Sequence, residues 1–249
     1  MKAIAFIQAR MGSTRLPGKV LMDIGGKPAI LQVYDRVKRS TKIADVWIIT
    51  TLQESDDPLV DLCKEKNIPV FRGSENDVLE RYYEAAKQAG AEGVIRITGD
   101  CPLMDFEVID TLLKAFESGE YDYVSNVHPP TFPDGIDVEV CTFAALEKAW
   151  KEATLTSERE HVTPYIWKHP EIFKMKNILC EEDLSSYRWT LDTPEDLEFL
   201  RLVIHECQKE NNYCNYKKVR EIVDAHPEWK NLNEKFERNE GYTKSVGED

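Results

Sequence analysis

Residues 2–19 read KAIAFIQARMGSTRLPGK, an apolar segment that runs directly into a loop rich in cations and glycine. The apolar part, residues 2–9, is typical of a buried strand; we call residues 10–19 the N-terminal loop. Further along the chain, strand-like segments alternate with segments of helical apolar spacing, and the next strands are predicted at 45–51, 69–71 and 93–98. This alternation predicts an α/β fold: a three-layer α/β/α sandwich with a mostly parallel mixed sheet.

The second half of the chain is less regular. Strands are predicted at 121–126, 137–141, 172–178 and 187–191. Thr193, Pro194 and Asp196 are helix-start signals and predict a helix from this point. Because no linker or internal repeat interrupts the pattern, we predict a single domain over residues 1–227 and a polar C-terminal tail, residues 228–249.

Composition and charge disfavour several classes of protein. The 249 residues carry a formal net charge of -13, which would repel nucleic acid polymers and anionic membranes. No apolar run approaches the roughly 20 residues that a membrane helix needs, and Met1 leads straight into a strand, so no signal peptide is expected. The six cysteines contain no C-x-x-C pair, which favours a reducing, cytoplasmic location.

The N-terminal loop has the composition of a phosphate-binding site. Arg10 and Arg15 can each hold phosphate oxygens through two hydrogen bonds, and Lys19 adds a point charge. Gly12 and Gly18 allow the backbone to approach a ligand. The spacing is neither that of a P-loop nor G-x-G-x-x-G. A triphosphate would suit these cations; the alternative is a merely polar turn.

Two aspartates follow predicted strands and are candidate metal ligands. Asp100 lies in the turn Gly99–Leu103, and Asp192 precedes the helix start at Thr193. Mg²⁺ is commonly held by one or two carboxylates together with phosphate oxygens and water. The alternatives are a turn-forming role for Asp100 and a helix-capping role for Asp192. Because ligands bind beyond the carboxyl ends of parallel strands, we expect Asp100 and the N-terminal loop to share one sheet edge.

Together these segments resemble the cytidylyltransferases that activate acidic sugars, a group with CMP-Kdo synthetases, CMP-sialic acid synthetases and SpsF-like spore-coat proteins. The segments ARMGSTRLPGK (9–19), GDCPL (99–103) and LDTPEDL (191–197) look like motifs of the CMP-Kdo branch. The segments GSENDVLER (73–81) and PDGIDVE (133–139) are closest to the SpsF-like branch. The resemblance implies a glycosyltransferase-A-like nucleotidyltransferase fold, a homodimer, and CTP and Mg²⁺ as substrate and cofactor.

The resemblance also implies roles for individual residues. Lys19, Arg15 and Asp100 would be catalytic, and Asp100 and Asp192 would hold Mg²⁺. The nucleotide would be bound by Gln8, Ala9, Arg10, Gly12, Ser13, Arg15, Lys19, Gly73 and Thr98.

The sugar pocket is expected opposite the N-terminal loop, in the second half of the chain. Its candidate residues are polar or charged: Asp134, Asp137, Glu139, Arg159, His161 and Arg188. The arginines would suit an anionic sugar, and Asp137 and Glu139 could bind hydroxyls. The alternatives are a helix-start position for Arg159 and a packing role for His161.

The predicted reaction is in-line attack of a sugar hydroxyl on the α-phosphorus of CTP, with release of pyrophosphate, in surface or spore-coat polysaccharide biosynthesis. One rival is a nucleotidyltransferase that uses another nucleotide or a sugar phosphate. A second is a glycosyltransferase, although the chain has no D-x-D metal motif. A third is a non-catalytic nucleotide-binding homologue.

Overall fold

A computed structural model of the chain, which describes residues 1–210, 213–236, 238, 240–247 and 249, contains a seven-stranded mixed sheet. The strands are β1 (Ala3–Gln8), β2 (Asp45–Thr51), β3 (Val70–Gly73), β4 (Gly93–Thr98), β5 (Tyr123–Ser125), β6 (Glu139–Thr142) and β7 (Met175–Asn177). Their order across the sheet is β3-β2-β1-β4-β6-β5-β7. Only β6 runs antiparallel to its neighbours in this sheet, β4 and β5. The predicted mostly parallel mixed sheet is confirmed.

Helices cover both faces of this sheet. They are α1 (Ala29–Val37), α2 (Asp57–Glu65), α3 (Val78–Ala89), α4 (Phe106–Phe116), α5 (Phe143–Glu152), α6 (Thr156–His161), α7 (Pro164–Trp167), α8 (Pro194–Lys209), α9 (Tyr216–Ala225), α10 (Pro227–Lys230) and α11 (Glu240–Val246). Side chains of β1 alternate between two cores, as the period of a strand requires. Ala5 and Ile7 join α1, α4 and α8 in one core, whereas Ile4 and Phe6 join α3 and α5 in the other. The predicted three-layer sandwich is therefore confirmed.

The predicted strand at 187–191 is wrong. Arg188 forms only an isolated bridge with Asp134. The Trp189 N–H donates to the Asp134 carbonyl (2.7 Å) and the Leu191 N–H donates to the Asp100 carbonyl (2.8 Å), so the segment joins two loops instead of pairing with a strand. Trp189 and Leu191 are buried, as are Arg188 and Thr190, so the segment is a buried connection between loops.

The segment after residue 227 folds back against the rest of the chain. Asn233 is buried and donates to the Arg188 carbonyl at 3.1 Å, and the Ser157 N–H donates to Asp249 Oδ1 at 2.8 Å. The division at residue 227 remains a prediction. In the described part of the chain, no helix has the length and apolar character to cross a membrane.

Candidate active site

The N-terminal loop is held in shape by its own backbone and by one buried carboxylate. Gly18 adopts a left-handed conformation with φ of 71°, and its N–H donates to the Met11 carbonyl at 3.0 Å. The Met11 N–H donates to Asp56 Oδ1 at 2.7 Å. Burial opposes ionisation of Asp56, but hydrogen bonds from Thr51, Met11 and other groups lower the pKa of this carboxyl. This geometry directs Lys19 toward the carboxyl end of the sheet.

Lys19 lies between the two predicted metal ligands. Its Nζ is 2.8 Å from Asp100 Oδ2 and 2.7 Å from Asp192 Oδ1. Arg15 Nη2 is 3.0 Å from Asp192 Oδ2. Asp100 follows β4, as the N-terminal loop follows β1, and Asp192 precedes α8. The predicted convergence of these segments at one edge of the sheet is confirmed.

The electrostatics keep this cluster charged. Burial alone would lower the pKa of the Lys19 ammonium, but Asp100 and Asp192 reverse the effect and raise it. Burial likewise opposes ionisation of Asp100, and Lys19 overcomes it and lowers the pKa of that carboxyl to about 2. Asp100 and Lys19 are therefore charged together at this edge of the sheet at neutral pH.

Asp192 is positioned by the start of α8 and by Arg188. Thr193 caps the helix, with its side chain accepting from the Asp196 N–H at 3.2 Å, which leaves the Asp192 side chain facing Lys19 and Arg15. The Arg188 guanidinium donates to Asp196 Oδ1 (3.0 Å) and Oδ2 (2.9 Å) and lies 3.3 Å from Asp192 Oδ2. Arg188, a predicted sugar ligand, thus supports Asp192.

A cleft of about 790 Å³ opens beside this cluster. Ten of the predicted site residues line it: Gln8, Ala9, Arg10, Gly12, Ser13, Arg15, Lys19, Thr98, Asp100 and His161. Gln8 and Thr98 are neighbours in register on β1 and β4. The buried Gln8 Oε1 has no hydrogen-bond partner among the described residues. It is an acceptor available to a ligand.

Seven predicted residues do not line the cleft. Asp192 does not line the cleft but contacts Lys19 and Arg15, which do. Gly73 lies at the end of β3. Glu139 is buried and pairs with Arg96 Nη1 at 2.5 Å. Arg159 binds Asp77 and donates to the Trp150 carbonyl. The remaining three are Asp134, Asp137 and Arg188.

Arg238 covers the two aspartates of the predicted sugar site. Its guanidinium is paired with Asp137 and lies 4.0 Å from Asp134 Oδ1. Burial raises the pKa of Asp137 to about 7 and that of Asp134 to about 6, although the arginines oppose it.

Sequence reasoning gave no role to several cleft residues. Glu75, Asn76 and Arg81 line the cleft. They lie in the SpsF-like segment 73–81, and this motif could have indicated that they belong to the site. Glu240, Gly241 and Lys244 belong to α11, where no motif marks a site.

The donor set at the sheet edge fits Mg²⁺. Asp100 and Asp192 supply oxygen donors whose nearest facing group is an ammonium, a position where positive charge is favoured. Among the described residues, no cluster of three or more acidic, histidine or cysteine side chains could hold a metal alone. Two carboxylates match the one or two that commonly hold Mg²⁺ together with phosphate oxygens and water.

Comparisons with known proteins show similarity to cytidylyltransferases. A model of the cytidylyltransferase family matches residues 4–226. Protein MJ1063 of Methanocaldococcus jannaschii is 39% identical over 94% of this chain and 95% of its own length. SpsF, a spore coat polysaccharide biosynthesis protein of Bacillus subtilis, is 37% identical over 81% of this chain and 86% of its own. A solved cytidylyltransferase structure from Leptospira borgpetersenii has a TM-score of 0.89 at 35% identity, covering 96% of this chain and 100% of that one. The predicted family resemblance and the nucleotidyltransferase fold are confirmed.

Proposed function

We propose that this chain, which belongs to the cytidylyltransferase family, transfers CMP from CTP to an acidic sugar of the ulosonic type and releases pyrophosphate. The observation that carries the proposal is the contact of Lys19 with both Asp100 and Asp192 beside an open cleft. This arrangement offers cations for a triphosphate and carboxylates for its metal. SpsF supports a role in polysaccharide biosynthesis.

The chain's own groups would act mainly by positioning and by stabilising charge. A sugar hydroxyl oxygen forms the new bond to the α-phosphorus, the bond to the bridging oxygen of pyrophosphate breaks, and the hydroxyl proton leaves to solvent. Arg15 and Lys19 stabilise the negative charge that develops on the departing pyrophosphate. The free Gln8 Oε1 suits a hydrogen-bond donor such as the cytosine amino group.

Asp100 and Asp192 would hold Mg²⁺. The chemistry that Mg²⁺ would supply there is neutralisation of phosphate charge and easier ionisation of the attacking hydroxyl. We further propose that the protein is cytoplasmic and acts as a homodimer. Light scattering in solution tests whether the protein is a homodimer.

The first prediction concerns turnover. Purified protein is incubated with CTP, MgCl₂ and eight- or nine-carbon ulosonic acids, among them 3-deoxy-manno-octulosonate and N-acetylneuraminate, and pyrophosphate is measured. Lys19→Ala and Asp100→Ala should each lower kcat by roughly 100- to 1000-fold, because each removes a group that stabilises the transition state. Both variants should keep a native circular dichroism spectrum.

The matched controls are Lys27→Ala and Asp35→Ala. These residues form an exposed ion pair outside the cleft, and both variants should retain wild-type turnover. Near-normal kcat in the Lys19 or Asp100 variant would refute the assigned roles. CTP binding without turnover on any acid would favour a non-catalytic homologue.

A further inference from the structure

Helix α11 forms one wall of the cleft. Glu240, Gly241 and Lys244 line the cleft, and Glu240 and Lys244, four positions apart, are neighbours on the helix surface. The next position, Ser245, is buried and contacts α6. Its Oγ lies 3.1 Å from His161 Nε2 and donates to α6 at Glu160 Oε2 (2.6 Å). Ser245 therefore fixes α11 to α6 beside the cleft, which residues of both helices line.

The contact of Glu240 with the N-terminal loop brings Lys244 close to the reaction centre. Glu240 Oε2 is 2.6 Å from Arg15 Nη1. Four residues of α-helix rise about 6 Å, so Lys244 begins roughly that distance further along the wall. This is the scale of a sugar that must present a hydroxyl to the α-phosphorus.

Lys244 differs from the other cations of the cleft that lie outside the N-terminal loop. Its ammonium forms no ion pair with any residue that the structure describes. Arg81 is buried and donates to the Ser74 and Glu75 carbonyls. Burial lowers the pKa of His161, which is therefore neutral at pH 7. Lys244 is left as the available positive charge on the α11 side.

We propose that Lys244 binds the carboxylate of the acceptor sugar and that α11 forms the acceptor end of the cleft. This inference rests on the proposed function. The reaction brings two anions together in a protein of net charge -13, and the three cations of the N-terminal loop are matched to the triphosphate. The second anion requires a separate cation, which Lys244 supplies.

Gly241 keeps this end of the cleft open. A Cβ atom added at Gly241 would have its nearest neighbour, His161 Cε1, at 4.0 Å. An alanine therefore fits without a clash, whereas a large side chain would project into the space assigned to the sugar.

The test compares Lys244→Met with wild type in steady-state assays that vary CTP and the acidic sugar separately. We expect the KM for the acidic sugar to rise about 10- to 100-fold, the range for losing a charged hydrogen bond, with the KM for CTP unchanged. Lys244→Arg should recover most of the loss. The control Lys235→Met removes an exposed lysine paired with Glu195 outside the cleft and should change nothing.

A methyl ester of the same sugar separates charge recognition from loss of shape. The wild-type KM for the ester should exceed that for the acid by the same factor by which Lys244→Met raises the KM for the acid. The variant should have equal KM values for acid and ester. Gly241→Phe should raise the KM for the sugar but not for CTP.

Three outcomes would overturn the inference. An unchanged KM for the acid in an active Lys244→Met enzyme overturns this inference and leaves the proposed function standing. A rise confined to the KM for CTP reassigns Lys244 to the nucleotide. A wild-type enzyme that transfers CMP to no acidic sugar refutes the proposed function and this inference with it.

Discussion

Glu139 is a buried carboxylate with internal contacts. It pairs with Arg96 Nη1 and accepts from the Tyr123 and Thr163 hydroxyls, each at 2.5 Å. Burial would raise the pKa of Glu139, but Arg96 and the hydroxyls lower it. A carboxylate so enclosed stabilises the junction of β4, β5 and β6 and is hidden from a sugar in the cleft.

We predict that Glu139→Gln lowers the free energy of unfolding by about 3 kcal/mol, because the largely buried Arg96 loses its counter-charge. Urea denaturation followed by circular dichroism measures this. The control Glu147→Gln removes an acid from an exposed pair with Lys151 and should leave the urea midpoint unchanged. A stable Glu139→Gln variant with a raised KM for the sugar would instead restore Glu139 as a substrate ligand.

At the scale of elements, the N-terminal loop depends on one backbone conformation. Gly18 has φ of 71°, and a Cβ there would meet Met11 Cε at 3.4 Å, an ordinary contact. The cost of Gly18→Ala is therefore the left-handed backbone, about 1–2 kcal/mol of unfolding free energy. Gly12→Ala is the matched control, since no atom lies within 4 Å of its Cβ position. Equal urea midpoints for the two variants would contradict this account.

Elements defined by local pattern could be predicted, and those defined by distant partners could not. β2 and β4 have the predicted bounds because both segments are rich in β-branched residues, which favour strands. The composition of residues 10–19 correctly indicated where the loop lies, because Lys19 contacts Asp100 at the sheet edge, and its phosphate-binding role stays a prediction. The segment 187–191 has the alternation of a strand, yet its partners are loops far away in sequence. α11 is polar and lacks apolar periodicity, so nothing in its sequence marks it as a wall of the cleft.

At the scale of the whole molecule, polar contacts hold the C-terminal segment, the residues after 227, against the second half of the chain. Arg238 donates to the Phe132 carbonyl at 3.0 Å and pairs with Asp137. Asn233 reaches Asp196 Oδ1 at 2.9 Å. These contacts place a cation above Asp134 and Asp137, whose pKa values burial has raised. The stability of the molecule should therefore depend on pH near neutrality.

The direction in which stability changes with pH follows from proton binding by Asp137. Its folded pKa of about 7 exceeds the ordinary 3.8, so above pH 4 the folded state holds more protons than the unfolded state. Unfolding free energy then falls as pH rises, by about 1 kcal/mol between about pH 6.5 and about pH 8 for this group. Asp134, whose pKa is also raised, adds to this decrease in the free energy of unfolding. Below about pH 6.5 the lowered pKa values of His128 and His161 act in the opposite direction, so the prediction is confined to the higher window.

Asp137→Asn removes this titration while its side-chain carbonyl can still accept from Arg238. The urea midpoint of wild type should decrease across the window, and that of the variant should decrease less, so that the two curves converge toward pH 6.5 and separate toward pH 8. Parallel curves would show that Asp137 ionises in this window no differently in the folded and unfolded chain. Its contact with Arg238 would then hold a fully charged carboxylate, and the C-terminal segment would be fastened by an ion pair at every pH tested.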